Sequence, residues 1–289
     1  MTAKTAAVKI TIVVDNRANE GLLCEHGFSA WIEVPGRRLL FDTGQGAALP
    51  TNADKIGIDL RTADIVVLSH GHYDHSGGLP LVITRAPTAE IYAHPAATGL
   101  RYAIRDGTAK PIAMPTAART ALEVHAVGVR WTTRAQQLAI GLGLTGPIPR
   151  LTDYEDTGGP FFVDAEGAQP DPIADDLALW IRTNRGLVVV VGCSHAGLVN
   201  TLSHALKLSG EPRLHAVLGG FHLNEASELR LARTMAELQK LGPDLIVPCH
   251  CTGDAAVEGL RQRFGKRVQA GAAGVVFCFG VASASIPEG

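Results

Sequence analysis

Short apolar runs alternate with turn residues along most of the chain, and most of the runs have strand length. "VKITIVVDN" (8–16) reads as a strand ending in an Asp-Asn turn. "FSAWIEV" (28–34) and "RRLLFDTG" (37–44) read as two more, joined by the turn "PGR". "ADIVVLS" (63–69) is almost wholly apolar, the pattern of a strand buried on both faces. "AEIYAH" (89–94) and "ALEVHAV" (121–127) continue the strand series, and "PAATGLRYAIRDGTAKPIAMP" between them reads as a helix or loop. Residues 141–172 are rich in proline and glycine and predict loops, with one short apolar element at Phe161–Val163. "LALWIRT" (177–183) and "GLVVVVGC" (186–193) read as a hairpin turned by "NRG". Helices over 197–210, 227–243 and 254–265 then alternate with strands over 214–222, 244–250 and 270–280.

Each half therefore opens with antiparallel hairpins and later alternates strands with helices. Two such sheets, packed face to face with helices outside, would cover both faces of every strand, so an α+β layered architecture is expected. With 289 residues and no linker of the disordered type, residues 1–289 are expected to form a single domain. The segment at about 141–172 is expected to cover the active site.

Composition narrows the partners. The chain is 46% apolar and 19% charged with a formal net charge of -2, and no Lys/Arg run is dense enough to line a nucleic-acid groove, so no nucleic acid is expected. The longest apolar run, "GLVVVVGC", is too short to span a bilayer, and the start shows no h-region, so neither membrane nor signal peptide is expected. Five cysteines, an odd number without a secreted framework, favour a reducing cytoplasm. A small-molecule substrate is the expected partner, with the oligomeric state open and a homodimer admissible.

The chemistry concentrates in "SHGHYDHSGG" (69–78). In an extended loop His70 and His72 can grip one ion, while Asp74 and His75, on the turn that follows, can reach a second. Imidazole and carboxylate donors suit zinc, iron or manganese. Four donors from one loop rarely close two ions, so others are expected after other apolar strands. His195 in "VVVVGCSHAG", His250 in "DLIVPCHCTG", Cys193, and His222 in "AVLGGFH" have that placement. Asp42 in "LLFDTG" stands either to orient a ligating imidazole through its second ring nitrogen or to form a turn. His94, His125, His204 and His215 are expected to cap, pack or face water.

Through "SHGHYDHSGG", "FDTG" and "PCH" the chain resembles the metallo-beta-lactamase fold superfamily. That resemblance implies a four-layered αββα sandwich with two metals at one edge of the sheets. "DNRANEGLLCEHGFSAWIEV", "LTGPIPR", "DDLAL", "GLVVVVGCSHAGLVNTL", "LGGFHL" and "PCHCTG" are similar, more narrowly, to the branch of 7,8-dihydropterin-6-methyl-4-(beta-D-ribofuranosyl)-aminobenzene-5'-phosphate synthase-like proteins, over about residues 8–280. By position it implies His70 and His72 as ligands of the first metal, and Asp74, His75 and His250 as ligands of the second. The superfamily usually has a "GD" pair with a bridging aspartate where this chain has "GCSH", so Cys193 stands near the aspartate position. His195 is taken as a ligand; Cys193 stays open between ligand and buried small residue.

Two divalent ions, zinc first with manganese or iron as alternatives, would make a metal-bound hydroxide near neutral pH. The expected activity is that of a metal-dependent hydrolase, with Asp74 holding the nucleophile's proton and His222 as a proton donor. Arg150 in "GPIPR", Arg17 in the loop after the first strand, and His26 are candidate substrate contacts, the guanidiniums suiting a phosphate. A phosphodiester or cyclic phosphate of a small molecule, pterin- or ribose-phosphate-related, leads. Lactone, amide or ester hydrolysis is the alternative, and a diiron redox protein or a non-enzymatic metal-binding sensor is a third class.

Overall fold

The computed structural model describes residues 7–125 and 128–281. A seven-stranded sheet runs in the order Val276–Gly280, Ala7–Val14, Ser29–Val34, Arg37–Phe41, Ile65–Val67, Glu90–Ala93, Val129–Trp131. Its hairpin part is antiparallel, and the pairing turns parallel from Arg37–Phe41 onward. A six-stranded sheet runs in the order Leu245–Cys249, Leu214–Gly220, Gly186–Val191, Ala178–Thr183, Leu142–Leu144, Gln136–Ala139, with its first three strands parallel. The strand formed last in sequence thus crosses to the sheet formed first.

The inner faces of the two sheets share one apolar cluster that includes Ile10, Ile32, Phe41, Val67, Leu179, Val188, Leu218 and Phe277. The outer face of the first sheet packs on helices Ala48–Lys55, Leu79–Arg85 and Thr116–Val124; that of the second packs on Leu198–Ser209, Glu228–Leu241 and Asp254–Phe264. This is the α+β four-layered sandwich expected. It explains why Gly186–Val191 is buried at every position: both faces meet side chains, so neither alternates with water. Helix ends follow local rules. Ser227 accepts the Arg230 N–H at 3.2 Å, and Gly210 and Gly242 close their helices in the left-handed region at φ 70° and 57°. Among the described residues no helix is long and apolar enough to cross a membrane.

Two expectations need correction. "ALEVHAV" is not a strand: Ala121–Val124 finish the helix Thr116–Val124, whose Ala118 and Leu122, four apart, are its buried stripe. Residues 126 and 127 lie outside the described residues, and the strand begins at Val129. The stretch after Pro95 is mainly a β-hairpin, Tyr102–Arg105 with Thr108–Pro111, which joins Phe161–Phe162 in a third, three-stranded sheet. Its turn residues Asp106 and Gly107 both have positive φ, 50° and 72°, as a type I′ turn requires.

Candidate metal centre

Because Arg37–Phe41 and Ile65–Val67 run parallel, as do Gly186–Val191, Leu214–Gly220 and Leu245–Cys249, their C-terminal ends come to one rim. Asp42, His70, Cys193, His195, His222 and His250 each stand at or just beyond such an end. His70 and His72 lie in the loop; Asp74 and His75 lie on the single helical turn Tyr73–Ser76. Gly77 and Gly78 adopt ordinary helical φ, so their need is for space. A Cβ would stand 2.5 Å from the Gln45 carbonyl at Gly77 and 2.4 Å from the Thr43 carbonyl at Gly78.

One donor set is made of imidazoles. Among the described residues the Nε2 atoms of buried His70, His72 and His195 have no hydrogen-bond partner, and the three residues form a group whose ligand atoms lie within 4.8 Å of one another. Three buried, unpartnered nitrogens would be costly unless something accepts their lone pairs. His195 Nδ1 donates to the Thr157 carbonyl at 2.8 Å, which leaves the lone pair on Nε2. Burial, and then the neighbouring imidazoles of the site, hold His70 and His195 well below the ordinary histidine range, and burial with Arg101 does the same for His72. Neutral imidazoles are what a cation needs.

The second set mixes donors. His75 Nε2 lies 3.3 Å from His250 Nε2 and 3.1 Å from Cys193 Sγ, and His250 Nε2 lies 3.3 Å from Asp74 Oδ2. Donors ~2.0–2.3 Å from one tetrahedral ion stand roughly 3.3–3.8 Å apart, so the two 3.3 Å spacings sit at the short end of that range and the 3.1 Å spacing just under it, to be opened slightly by an ion. Each imidazole is turned by its other nitrogen: His75 Nδ1 donates to Asp42 Oδ2 at 2.7 Å, and His250 Nδ1 to Asn16 Oδ1 at 2.8 Å. Burial opposes charge on His75, yet Asp42 and Asp74 lift its pKa to about 9. The carboxylates thus create a demand for positive charge that a proton or a metal ion can meet. Both sets fit divalent ions.

Asp42 reaches further than one imidazole. Its Oδ2 also accepts the Ser69 hydroxyl at 2.7 Å, and that hydroxyl stands 2.9 Å from His70 Nδ1. One buried carboxylate therefore orients His75 directly and His70 through Ser69.

Consecutive aspartates, quoted above only within "DDLAL", hold the three-imidazole set from behind. Asp175 Oδ2 accepts the N–H of Gly71, between His70 and His72, at 2.8 Å. Asp176 Oδ2 accepts the N–H of Ala196, beside His195, at 2.7 Å. Buried Arg101 grips both carboxylate oxygens of Asp175 and reaches Asp171 at 3.1 Å. Glu155 accepts the N–H groups of Val199 and Asn200 at the start of helix Leu198–Ser209 and so fixes the segment carrying Thr157.

The metallo-beta-lactamase superfamily model matches residues 23–250, a span containing every donor named so far. The chain belongs to the metallo-beta-lactamase superfamily. It is 30% identical over 277 residues to the 7,8-dihydropterin-6-methyl-4-(beta-D-ribofuranosyl)-aminobenzene-5'-phosphate synthase of Methanocaldococcus jannaschii, covering 90% of this chain and 93% of that one. A second, uncharacterized protein of that organism is 32% identical over 259 residues, covering 88% and 94%. The crystal structure of Tm1679, a metal-dependent hydrolase of the beta-lactamase superfamily, matches with a TM-score of 0.79 at 30% identity, covering 93% of this chain and 98% of that one. Within the superfamily the chain falls in a branch related to the synthase.

A cavity of about 720 Å³ opens onto the donors of this metallo-beta-lactamase-fold protein. Tyr73, Phe161 and Ile112 give it apolar walls, and His72, Asp74, Cys193, His222 and His250 reach into it. His222 Nδ1 is buried without a hydrogen-bond partner among the described residues. Burial opposes its charge, but Cys251 holds its pKa above the ordinary value. Exposed His26 lines the cavity and sets Nε2 3.1 Å from Asp74 Oδ2. Arg17 lines it too, paired with Asp254. Arg150 is not among the lining residues; it donates to the Pro172 carbonyl at 2.7 Å. Of the 141–172 segment, Gly158 and Phe161 reach the cavity, while Leu142–Leu144 is a strand of the second sheet. The hairpin after Tyr102 supplies the rest of that wall, with Arg105, paired to Glu225, and Lys110, whose Nζ lies 5.6 Å over the Tyr73 ring. His94, His125, His204 and His215 stand outside the cavity lining. His94 caps the turn at Ala96, and the others bond to Ala89, Thr145 and Thr183.

Proposed function

We propose that this chain is a metal-dependent hydrolase of a small-molecule phosphodiester or cyclic phosphate. The reading rests on one observation above all: two adjacent, differently composed donor sets meet one cavity through His72, Asp74, Cys193 and His250, and Lys110 lines the same cavity. His70, His72 and His195 would hold one ion. Asp74, His75 and His250, with Cys193 beside both sets, would hold the other. Bound there, such a pair supplies a nucleophile near neutral pH and offsets charge on a leaving oxygen. Zinc suits the donors best, because nitrogen and sulfur dominate over oxygen.

The remaining steps fall to the chain's own groups. Asp74 Oδ2, between His26 and His250, can take the nucleophile's proton. His222, at the cavity wall with its pKa raised by Cys251, is placed to give a proton to the leaving oxygen. Phe161 packs against His72, His195 and His222 at 5.4–5.8 Å between ring centroids and keeps bulk water from that side. Lys110, with no carboxylate paired to it among the described residues, takes the anionic group in place of Arg150. The relative from Methanocaldococcus jannaschii carries a phosphate in its name, which supports a phosphorylated substrate.

Turnover by zinc-loaded protein of bis(p-nitrophenyl) phosphate, a 2',3'-cyclic nucleotide, a lactone and a thioester tests the reading. Phosphoesters should be preferred, with activity lost on chelation and in His72→Ala. A preference for the lactone or thioester overturns the substrate class, and turnover that survives chelation overturns the metal dependence.

A further inference from the structure

The second donor set does not end at Cys193. Cys251 Sγ faces Cys193 Sγ at 3.3 Å, and Cys193, His250 and Cys251 form a group whose ligand atoms lie within 4.8 Å of one another. The local backbone accounts for this. His250 adopts φ 47° and Gly253 φ 82° around the short turn His250–Thr252, so two successive side chains, at 250 and 251, both face the cavity. The turn is pinned by Thr252, whose hydroxyl donates to the Cys249 carbonyl at 2.7 Å and accepts the Phe221 N–H at 3.1 Å. Room for the sulfur comes from the facing strand. A Cβ on Gly220 would lie 2.6 Å from Cys251 Sγ and 2.5 Å from the Gly192 carbonyl, so no larger residue fits there without moving backbone.

Besides Cys193, whose carbonyl is 3.9 Å from Cys251 Sγ, the imidazoles of His222 and His250 neighbour that sulfur. It has no structural task comparable to that of Cys249, which is buried and directed at the Val247 carbonyl at 3.5 Å. We infer that Cys251 is a metal-directed donor which, with Cys193, gives the second position a sulfur face and makes it selective for a thiophilic divalent ion. The two positions then differ in kind. Three imidazole nitrogens accept a broad range of first-row ions, whereas thiolates favour zinc, cobalt or iron(II) over manganese and magnesium. The inference rests on the proposed function only in that metals bind at this rim.

Cobalt(II) provides a probe that needs no turnover. Protein stripped with chelator and titrated with cobalt should develop sulfur-to-cobalt charge-transfer absorption in the near ultraviolet. The absorption should fall to about half in Cys251→Ser and in Cys193→Ser and vanish in the double variant. Cys278→Ser, on an edge strand away from the cavity, should leave it unchanged. Removing an outer partner of a ligand costs about 10–100-fold in affinity, so losing a donor should reduce the zinc-over-manganese preference of that position at least about tenfold. Cys251→Ala serves as the second variant should the serine form fold poorly, with circular dichroism as the check. Full cobalt occupancy with unchanged absorption in folded Cys251→Ser or Cys251→Ala overturns the inference, as does bound cobalt in the wild type without that absorption. Because no substrate is present, failure of the phosphoester reading leaves the spectrum unaffected, and the converse also holds.

Discussion

Replacing Asp42 with asparagine separates the two donor sets by their dependence on one carboxylate. Asp42 is fully buried, and its Oδ2 serves both His75 Nδ1 and the Ser69 hydroxyl, while Oδ1 accepts the Ser69 N–H at 2.7 Å. In Asp42→Asn the side-chain oxygen can keep the Ser69 N–H, but the amide NH2 then faces two donors. His75 must give up its Nδ1 proton or its hydrogen bond, and a proton moved to Nε2 occupies the lone pair a metal would use. The lost bond is charge-assisted and worth about 1.5–3 kcal/mol, which at ~1.4 kcal/mol per tenfold is roughly 10–150-fold in affinity at the second position. At the three-imidazole position the effect passes through Ser69 and concerns a neutral bond of about 0.5–1.5 kcal/mol, or roughly 2–13-fold. Ser69→Ala should reproduce only this smaller loss. Competition against a chromophoric chelator, analysed for two sites in wild type, Asp42→Asn and Ser69→Ala, gives both constants. Equal losses at the two positions in Asp42→Asn would refute the split. Unchanged affinity at both would leave Asp42 a turn residue.

Burial, with Asp175 alongside, raises the pKa of Asp176 from 3.8 to about 7. Between those values the native state binds the extra proton, so Asp176 costs stability progressively as pH rises from about 4 to 7, by up to ~4 kcal/mol. Asp176→Asn, which keeps an acceptor for Ala196, should therefore gain on the wild type across that range; parallel urea-unfolding stabilities would reject this. Asp175→Ala strands buried Arg101 with Asp171 alone and should lower unfolding free energy by about 3–5 kcal/mol, while a shift under ~1 kcal/mol would remove the clamp role. Lys110→Ala should cut kcat/KM about 10–150-fold on a phosphodiester and leave a neutral lactone unaffected, the range for a lost charged bond. Arg150→Ala should change neither by more than about threefold, as expected for a residue outside the cavity, and a larger phosphate-specific loss would return Arg150 to the site.

The strand-end residues that gather in the candidate donor sets were readable because the signal is local: a polar residue directly after an apolar run, as at His70, His195 and His250. Of the supports, Asp42 was readable in the same way, after the apolar run of "LLFDTG"; Asp175 and Asp176 were not, because their partners are remote. Asp175 serves a backbone N–H 104 residues away and Asp176 one 20 residues away, so spacing cannot distinguish them from a turn before a strand. Cys251 was hidden behind His250, since an ordinary strand or helix sends adjacent side chains to different faces, and only the turn at φ 47° brings both round. The hairpin carrying Lys110 did leave a trace. Asp106-Gly107 between two short runs is a type I′ signal, set among polar residues that give the flanking runs no clear strand pattern. Ala117, Ala118 and Ala121 likewise marked a helix where Val124 and its neighbours suggested a strand.

The three imidazoles have a mechanical consequence. His70 and His72 hang from a strand of one sheet, and His195 from a strand of the other. An ion held by all three is therefore a cross-link between the layers, closing a long loop at the one rim where the interior opens to a cavity. Elsewhere the described sheets meet through apolar contact and a few backbone hydrogen bonds, such as that from Asn184 to Gly280 at 3.0 Å; here coordination would join them. Since the ion binds the folded chain and not the unfolded one, free metal at about a thousand times its dissociation constant adds ~4 kcal/mol to stability, and chelation should unzip the sandwich from this rim first. Hydrogen exchange would then speed up in Ile65–Val67 and Gly186–Val191, the strands that lead into His70, His72 and His195, before it does in Ala7–Val14, which leads into none of the three. Metal supply thus acts on how long the protein lasts as well as on what it can do.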